Sequence, residues 1–319
     1  MNITVVSLNP CIDWQLTTPN FEYGALNHVR PVGRYAAGKG INVAIALKNL
    51  GLDPMCVGFN YQENGAELTK VMDEHSVRHD FVNINGALRT NIKLYDTANN
   101  TMTELNQPGA PVSSQELALL YDKVKAQANA GPNPDADILV LSGSMPAGVP
   151  KDFYRTLSEC WKGFVILDAA GEALRLALEG TRPTFCIKPN LYELESSFNV
   201  KLPTKEAIAS FCLGLLRRYH VDFACVSMGA DGAMLISNLG DVHYMDAMDL
   251  DVKGVQGAGD SMVAGLTYGL SLGVPDADLL CMACAAAAAT VVLEGTQMCT
   301  HDGFNQFMSQ LPTPERINL

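Results

Sequence analysis

The chain has 319 residues, enough for one large domain or two smaller ones with a buried core, which excludes a peptide or a disulfide-stapled miniprotein. Hydrophobic residues make up 48% of the chain and charged residues 18%, a composition that excludes wholesale disorder. The 34 acidic side chains outnumber the 22 Lys and Arg, so the net charge of -12 repels nucleic acid and anionic membranes. Any bound anion therefore needs a local site.

The nine cysteines form an odd set and most lie within apolar runs, which predicts reduced core residues in a cytoplasmic protein. The longest apolar run, 279–293, is shorter than the roughly 20 residues that a membrane span needs. Its pair Cys281 and Cys284 has no second pair or nearby His to complete a zinc site, so we expect a buried helix there. The first ten residues lack the basic flank of a signal peptide.

The first predicted element is a buried strand over 3–8, closed by a turn. Polar and apolar residues then alternate over 13–34 and again over 87–105, as in a half-exposed antiparallel sheet. We expect these two insertions to form one small lid. The expected bounds are 10–36 and 86–108 for the lid, and 1–9, 37–85 and 109–319 for the core of this single domain.

Helices and continuous apolar strands alternate along the rest of the chain, which predicts an α/β fold with a mostly parallel sheet covered on both faces. Ligands bind such sheets at the carboxyl ends of the strands. The predicted strands cover 55–59, 138–142, 164–168, 184–188, 223–227 and 232–237, and the predicted helices 41–50, 114–130, 151–161, 173–178 and 204–219.

The strongest local signal is the run Gly257, Ala258, Gly259 and Asp260, a glycine turn that opens into an apolar helix. A Rossmann fingerprint would need glycine at position 262, where Met262 stands, so a dinucleotide motif is excluded. Unobstructed N–H groups at a helix start bind anions, and Asp260 would lie beside the anion. The alternative is that Asp260 simply caps the helix.

A second glycine cluster over 33–40 nearly matches a phosphate-binding P-loop, but Gly40 replaces the Ser or Thr that holds Mg²⁺, so a P-loop is rejected. Gly38, Lys39 and Asn42 still bring open backbone, a cation and a carboxamide to a helix start. Such a group suits the hydroxyls or phosphate of a sugar. The alternative is a tight turn with a solvated lysine.

Carboxylates follow two of the predicted strands. Asp13 stands just beyond the carboxyl end of the first strand, where it suits two sugar hydroxyls, with turn capping as the alternative. Asn190 and Glu193 lie three residues apart and so share a face of a helical turn. They form either a surface capping pair or a site for Mg²⁺, an ion that usually keeps several of its waters.

Six segments, in order along the chain, resemble the PfkB or ribokinase-like sugar kinases: 9–13, 37–42, 143–148, 188–193, 227–233 and 257–260. The resemblance implies a three-layer α/β/α core with a small β lid. It also implies that ATP with Mg²⁺ phosphorylates a sugar hydroxyl.

Carried over by position, the resemblance makes Asp260 the catalytic base and the amides of Gly257, Ala258 and Gly259 the anion hole. It assigns the sugar to Asp13, Gly38, Lys39, Asn42, Arg89 and Ser144, the nucleotide to Lys188, Asn190, Ser227, Gly229, Gly232 and Gly259, and Mg²⁺, through water, to Asn190 and Glu193. Two residues depart from the family pattern: Val255 stands where threonine is usual, and Gln256 is also unusual.

Residues 27–42 and 89–93 resemble the branch of 1-phosphofructokinases and tagatose-6-phosphate kinases. The phosphate already on such a sugar brings about two negative charges, which Arg89 and Lys39 would meet. His28 is either a further cation for this phosphate or a solvated histidine of the lid. The resemblance implies phosphorylation of fructose 1-phosphate to fructose 1,6-bisphosphate. Alternatives are kinases of tagatose 6-phosphate, of fructose 6-phosphate or of free sugars and nucleosides, and a catalytically silent sugar-phosphate-binding regulator. The family expectation is a homodimer through the lid, since open strand edges invite pairing.

Overall fold

Two separate sheets organise the chain in the computed structural model, which describes residues 1–128 and 130–318. The strands of the described residues are β1 (Ile3–Ser7), β2 (Cys11–Thr18), β3 (Arg30–Ala37), β4 (Met55–Glu63), β5 (Arg78–Ala87), β6 (Thr90–Asp96), β7 (Thr101–Asn106), β8 (Ile138–Ser142), β9 (Phe164–Asp168), β10 (Thr184–Ile187), β11 (Val221–Ser227), β12 (Ala233–Ser237), β13 (Val242–Met245) and β14 (Glu315–Arg316).

Helices connect most of these strands. In the described residues they are α1 (Lys39–Asn49), α2 (Gly65–Glu74), α3 (Ser114–Gln127), α4 (Phe153–Glu159), α5 (Gly171–Leu178), α6 (Leu191–Phe198), α7 (Lys205–Tyr219), α8 (Ala258–Leu272), α9 (Asp276–Val291) and α10 (His301–Met308), with 3₁₀ turns at Pro134–Ala136 and Gly229–Asp231.

The large sheet has ten strands in the order β14-β13-β12-β11-β10-β9-β8-β1-β4-β5. Strands from β5 to β11 in that order pair in parallel, and β12, β13 and β14 continue the sheet antiparallel at one edge. Every residue of β1 and β8 is buried, because helices cover both faces. The predicted α/β fold with a mostly parallel sheet is confirmed.

The small sheet has four strands in the order β3-β2-β6-β7, so the two predicted insertions do form one sheet. Its central pair, β2 and β6, is parallel, whereas the alternation predicted an antiparallel sheet. The reason is that the chain passes through β3, α1, β4, α2 and β5 between these two strands, which allows a parallel crossover. The boundaries between lid and core also differ slightly from the predicted ones. Strand β3 extends to Ala37, and β5, which belongs to the large sheet, extends to Ala87.

The chain crosses between the two sheets at short connections that hold several predicted site residues. Asn9 lies between β1 and β2, Gly38 between β3 and α1, and Arg89 between β5 and β6. These crossings place side chains from both sheets at the carboxyl ends of the central parallel strands. The fold therefore positions a site in the space where the small sheet meets the large one.

Element bounds differ from the predictions where the pattern is weak. The helix predicted over 114–130 ends at Gln127, and residue 129 lies outside the described residues. Strand β5 was not predicted, because this edge strand is half-exposed and polar rather than a continuous apolar run. Elements α2, β13, β14 and α10 were not predicted either.

All nine cysteines are free thiols, six of them buried and three partly buried, as predicted for core residues. The run that contains Cys281 and Cys284 belongs to helix α9, which agrees with the predicted buried helix. Across residues 1–128 and 130–318, no helix combines the length and the apolar character needed to cross a bilayer.

Candidate active site

A cavity of about 400 Å³ opens at the carboxyl ends of β1, β8 and β9. Both sheets contribute to its lining, since Arg89 comes from the crossing into β6 and Ser144 from the loop after β8. Its polar and charged lining residues include Asn9, Lys39, Arg89, Ser144, Lys151, Glu172 and Glu193. Lys151 is exposed and was missed by the sequence analysis, because nothing in its local pattern distinguishes it from a solvated lysine.

Helix α1 begins against the end of β1 because Gly40 has no side chain. A Cβ at Gly40 would lie 2.6 Å from the carbonyl oxygen of Val6. This close approach lets Lys39 reach two carboxylates, with Nζ 3.2 Å from Asp168 Oδ2 and 3.4 Å from Glu193 Oε1. Burial lowers the pKa of Lys39, but these carboxylates outweigh it and raise the pKa above its ordinary value. Lys39 is therefore paired with two carboxylates, while its side chain remains 40% exposed.

Asp168, at the end of β9, is the buried centre of this charge cluster and was missed by the sequence analysis. Lys188 Nζ lies 3.3 Å from Asp168 Oδ1, and the Ser142 hydroxyl donates to Oδ2 at 3.0 Å. Burial raises the pKa of Asp168, but Lys188 and Lys39 hold it below its ordinary value. Asp168 thus stays charged and fixes both lysines at the edge of the sheet. Its position at the end of an apolar strand was the available signal.

Asp260 lies in the first turn of α8 and is buried. The helix is capped by Gly257, in the left-handed conformation with φ 77°, so the alternative that Asp260 is a simple cap is wrong. Asn42 Nδ2 donates to Asp260 Oδ2 at 2.7 Å. Burial and the nearby charge of Asp168 raise the pKa of Asp260 to about 6. Such a carboxylate is suited to accept a proton near neutral pH.

The turn before Asp260 lies next to Lys188. A Cβ at Gly259 would be 3.5 Å from Lys188 Nζ, which is itself 3% exposed. Open backbone amides at a helix start and a neighbouring ammonium group together form a strongly electropositive turn. The structure therefore brings Gly257, Ala258, Gly259 and Lys188 together.

Asn190 and Glu193 form the capping pair that the sequence analysis gave as one of two alternatives. The Glu193 N–H donates to Asn190 Oδ1 at 2.7 Å, and the Asn190 N–H donates to Glu193 Oε2 at 3.0 Å. The pair starts helix α6, yet Glu193 Oε1 still faces the cavity and Lys39. Capping and ligand binding are thus compatible at Glu193.

Asp13 is the third residue of β2 and does not directly follow β1, which corrects its predicted place. Lys93 Nζ lies 2.6 Å from Asp13 Oδ2, and Asn91 Nδ2 donates to Oδ1 at 3.2 Å. Both partners come from the adjacent strand β6 and both are buried. Asn91 and Lys93 lie in the segment 89–93, and the sequence analysis assigned neither of them a role. Their spacing of two, which places them on one face of a strand, was the available signal.

Arg89 connects the small sheet to the cavity. Its Nη1 donates to Asn91 Oδ1 at 2.9 Å and its Nη2 to the Asn9 carbonyl at 3.1 Å. Asn9 Nδ2 in turn donates to Ser144 Oγ at 3.0 Å. The buried Arg89 Nε and Asn9 Oδ1 have no hydrogen-bond partner in the described part of the chain. The guanidinium therefore retains donor capacity at the wall of the cavity.

Other predicted residues lie outside the cavity. Ser227 forms an isolated bridge with Asn190, and Gly229 and Gly232, with φ of 62° and 86°, shape the following turn. None of these three lines the cavity, and neither do Asp13, Gly38, Asn42, Lys188, Asn190 or residues 257–260. His28 is exposed and does not line it either. Of the two departures from the family pattern, Val255 is exposed and Gln256 accepts a hydrogen bond from Lys93 Nζ at 2.7 Å.

Residues 2–302 match the family model described as pfkB family carbohydrate kinase. A 1-phosphofructokinase of Borreliella burgdorferi is 32% identical over 311 residues, covering 97% of each chain. The crystal structure of phosphofructokinase-2 from Escherichia coli, in complex with substrates and products, superposes with a TM-score of 0.89 at 25% identity, covering 98% of this chain and 99% of that one. Ribokinase from Thermotoga maritima shares the fold, with a TM-score of 0.77 at 18% identity and coverage of 97% and 99%.

Proposed function

Because the chain belongs to the pfkB family of carbohydrate kinases, we propose that it transfers a phosphoryl group from ATP to fructose 1-phosphate and forms fructose 1,6-bisphosphate. The observation that carries this proposal is the cavity that contains Arg89, with its unpartnered Nε, together with Lys39 and Lys151. These three cations outnumber the two carboxylates of the lining, Glu172 and Glu193, so the cavity suits a sugar that already bears a phosphate. The relative named 1-phosphofructokinase supports this branch of the family.

Arg89 and Ser144 bind the phosphate of the sugar in this proposal. A guanidinium with a free Nε–H pairs well with phosphate oxygens, and Ser144 is already held in place by Asn9. The positive charge of Lys39 is balanced by Asp168 and Glu193, so Lys39 contributes less to binding of the sugar phosphate than a free lysine would. Asp13, Gly38 and Asn42 contact the sugar hydroxyls.

Asp260 acts as the base. The acceptor hydroxyl gives its proton to a carboxylate oxygen of Asp260 while its oxygen forms a bond to the γ-phosphorus of ATP. The bond between the γ-phosphorus and the β–γ bridging oxygen breaks, and ADP leaves. The amides of Gly257, Ala258 and Gly259, with Lys188 beside them, stabilise the charge on the transferred group.

The donor set at Asn190 and Glu193 fits Mg²⁺. Glu193 Oε1 offers one carboxylate oxygen at the cavity, while the described residues contain no group of three His, Cys, Asp or Glu that would hold a metal alone. Mg²⁺ typically takes one or two carboxylates and fills its shell with water and phosphate oxygens. When bound, it supplies positive charge to the phosphates of ATP. Ser227, Gly229 and Gly232 contact the nucleotide, together with Lys188 and Gly259.

A second candidate is a kinase of fructose 6-phosphate, favoured by the close superposition on phosphofructokinase-2 of Escherichia coli. The small sheet also supports a homodimer, because β3 and β7 leave open edges and several large apolar side chains are exposed on the two insertions.

An ADP-release assay over a panel of sugars tests the function. The panel contains fructose 1-phosphate, fructose 6-phosphate, tagatose 6-phosphate, free fructose, ribose and adenosine. We expect fructose 1-phosphate to have the highest kcat/KM by at least about tenfold, since moving the phosphate leaves a buried polar group without its partner. A lead by fructose 6-phosphate or tagatose 6-phosphate would reject the substrate, and a silent panel would favour a sugar-phosphate-binding regulator.

Arg89→Ala tests the site within the same assay. Loss of a charge-assisted interaction predicts a rise of about 10- to 150-fold in the KM for the sugar phosphate, with a much smaller change in the KM for ATP. Arg34→Ala is the matched control, because Arg34 lies in the same small sheet but pairs with Glu67 away from the cavity. Equal changes in both KM values would show that Arg89 is only structural.

A further inference from the structure

Lys93 of β6 is buried and connects the small sheet to the turn that precedes Asp260. Its ammonium group lies 2.6 Å from Asp13 Oδ2 and 2.7 Å from Gln256 Oε1. Asp13 belongs to the small sheet, whereas Gln256 directly precedes Gly257, the cap of α8. One cation is thus shared between a proposed sugar ligand and the start of the proposed anion hole.

The surroundings of Lys93 make this link strong. Its side chain is 9% exposed and that of Asp13 is 8% exposed, so both charges are removed from water. Asn91 Nδ2 occupies the other oxygen of Asp13, which fixes the orientation of the carboxylate. A buried ammonium that loses one of its acceptors pays a large penalty, because water cannot readily replace the acceptor.

The link joins two parts of the molecule that share no strand pairing, since the two sheets are separate. The Gly257 turn takes a left-handed conformation, so its amides depend on the neighbouring residues for their orientation. A side-chain anchor at Gln256 therefore restrains both the turn and the small sheet that covers it.

We propose that Lys93 and Gln256 are positioning residues that hold the small sheet against the Gly257 turn, so that the phosphoryl group passes to the sugar and not to water. This inference rests on the proposed function. Without the link, the site opens more often and water attacks the γ-phosphorus, which gives ADP and inorganic phosphate.

The test compares Gln256→Met with Gln256→Glu. Methionine has nearly the same length but offers no oxygen acceptor, whereas glutamate keeps an acceptor oxygen at the same distance from the backbone. Val255→Ala is the matched control, because the neighbouring Val255 is 73% exposed and takes no part in the link. Each variant is assayed for ADP and sugar bisphosphate in parallel, with and without the sugar that the wild type phosphorylates best.

For Gln256→Met we expect the ratio of ADP formed to sugar phosphorylated to rise, and ADP release without sugar to increase about tenfold, as for the loss of a hydrogen bond to a buried charge. Val255→Ala should remain within about threefold of the wild type, and Gln256→Glu should keep the wild-type ratio of ADP formed to sugar phosphorylated, because its acceptor oxygen retains the link to Lys93. Hydrogen exchange in Gln256→Met should also be faster at the amide of Ser261, which donates to the Gly257 carbonyl at 2.8 Å in the wild type.

A Gln256→Met protein whose ratio and exchange match the wild type would overturn the proposal. So would a lower Tm with unchanged coupling, which is the signature of a purely structural residue. The wild-type arm separates this outcome from failure of the proposed function. If no sugar in the panel is phosphorylated, the function fails, while the exchange rate at the Ser261 amide still decides whether the link restrains the turn.

Discussion

The surroundings of Asp260 disfavour its ionised form. Burial and Asp168 raise its pKa from 3.8 to about 6, so between these values the folded protein holds a proton that the unfolded chain has lost. Stability therefore falls as the pH rises through this window. Above the folded pKa the full cost, about 3 kcal/mol, is present.

Asp260→Asn removes both the base and this cost. We expect kcat to fall by about 10²- to 10⁴-fold, and the free energy of unfolding at pH 7.5 to rise by about 1 to 3 kcal/mol. Urea unfolding at pH 7.5 and pH 4 checks the stability, and the difference from wild type should vanish at the lower pH. The kcat/KM of the wild type should rise with pH through about 6, as Asp260 loses its proton.

Asp168→Asn should change the stability in the opposite direction from Asp260→Asn. The lysines hold the pKa of Asp168 below its ordinary value, so this carboxylate stabilises the fold above that value and its contribution is lost as the pH falls. Its replacement should lower stability at pH 7.5 because Lys39 and Lys188 lose their shared partner. If the two variants shifted stability in the same direction, the charge cluster would not work as described.

At the scale of elements, the position of α8 depends on small residues at its contact with α9. A Cβ at Gly265 would lie against the Met282 carbonyl oxygen and 2.8 Å from Cα of Ala283. The close approach lets the alanine-rich face of α9 pack flat against α8, the helix that begins at the Gly257 turn. The geometry of the site is thus supported by packing on the far side of that helix.

Gly265→Ala is expected to lower the free energy of unfolding by about 1 to 3 kcal/mol, because the added methyl group forces the two helices apart. Gly214→Ala is the matched control, since Gly214 is an exposed helical residue of α7 with no atom within 4 Å of an added Cβ. That change should raise stability by up to about 1 kcal/mol through helix propensity. Denaturant titration measures the free energy of unfolding of both variants. A Gly265→Ala protein as stable as the wild type would show that α8 and α9 adjust freely.

The elements that could be predicted from sequence are those with one dominant cause. Strands β8 and β9 have the predicted bounds because burial on both faces demands a continuous apolar run. Strand β5 was missed because an edge strand tolerates polar residues such as Arg78 and Asp80. Local pattern alone does not distinguish such a strand from a loop.

Some residues of the candidate site could likewise be predicted from the sequence, and others could not. Glycine turns and polar residues after strands pointed to Asp260 and Asn190, and the family resemblance of residues 89–93 pointed to Arg89. Lys93 was not assigned, because its importance comes from Asp13 and Gln256, which lie 80 and 163 residues away in sequence. Partners so distant are known only once the two sheets are seen together.

At the scale of the whole molecule, the small sheet exposes more apolar surface than a solvated lid needs. The exposed large hydrophobic side chains on the two insertions are Tyr23, Leu26, Val29, Val32, Tyr35, Met102 and Leu105. Strands β3 and β7 also have no further strand beyond them in the described residues. Apolar surface beside an open edge is suited to a second copy of the chain.

We expect the protein to be a dimer and Val32→Asp to be a monomer, because a buried, unpaired carboxylate in the interface is costly. Light scattering after size-exclusion chromatography at micromolar concentration measures the mass of each. Leu239→Asp is the control, since Leu239 is 82% exposed in the turn between β12 and β13 of the large sheet. A monomeric wild type would refute the interface.

The buried free thiols can report how often the core of the native protein opens. Burial raises the pKa of Cys212 and of Cys225 to about 12, and six of the nine sulfurs are buried. An alkylating reagent that reacts with thiolates reaches such sulfurs only when the surrounding core opens. The alkylation rate of these residues therefore counts opening events of the native protein, and the partly buried Cys160 and Cys281 supply the faster reference on the same chain.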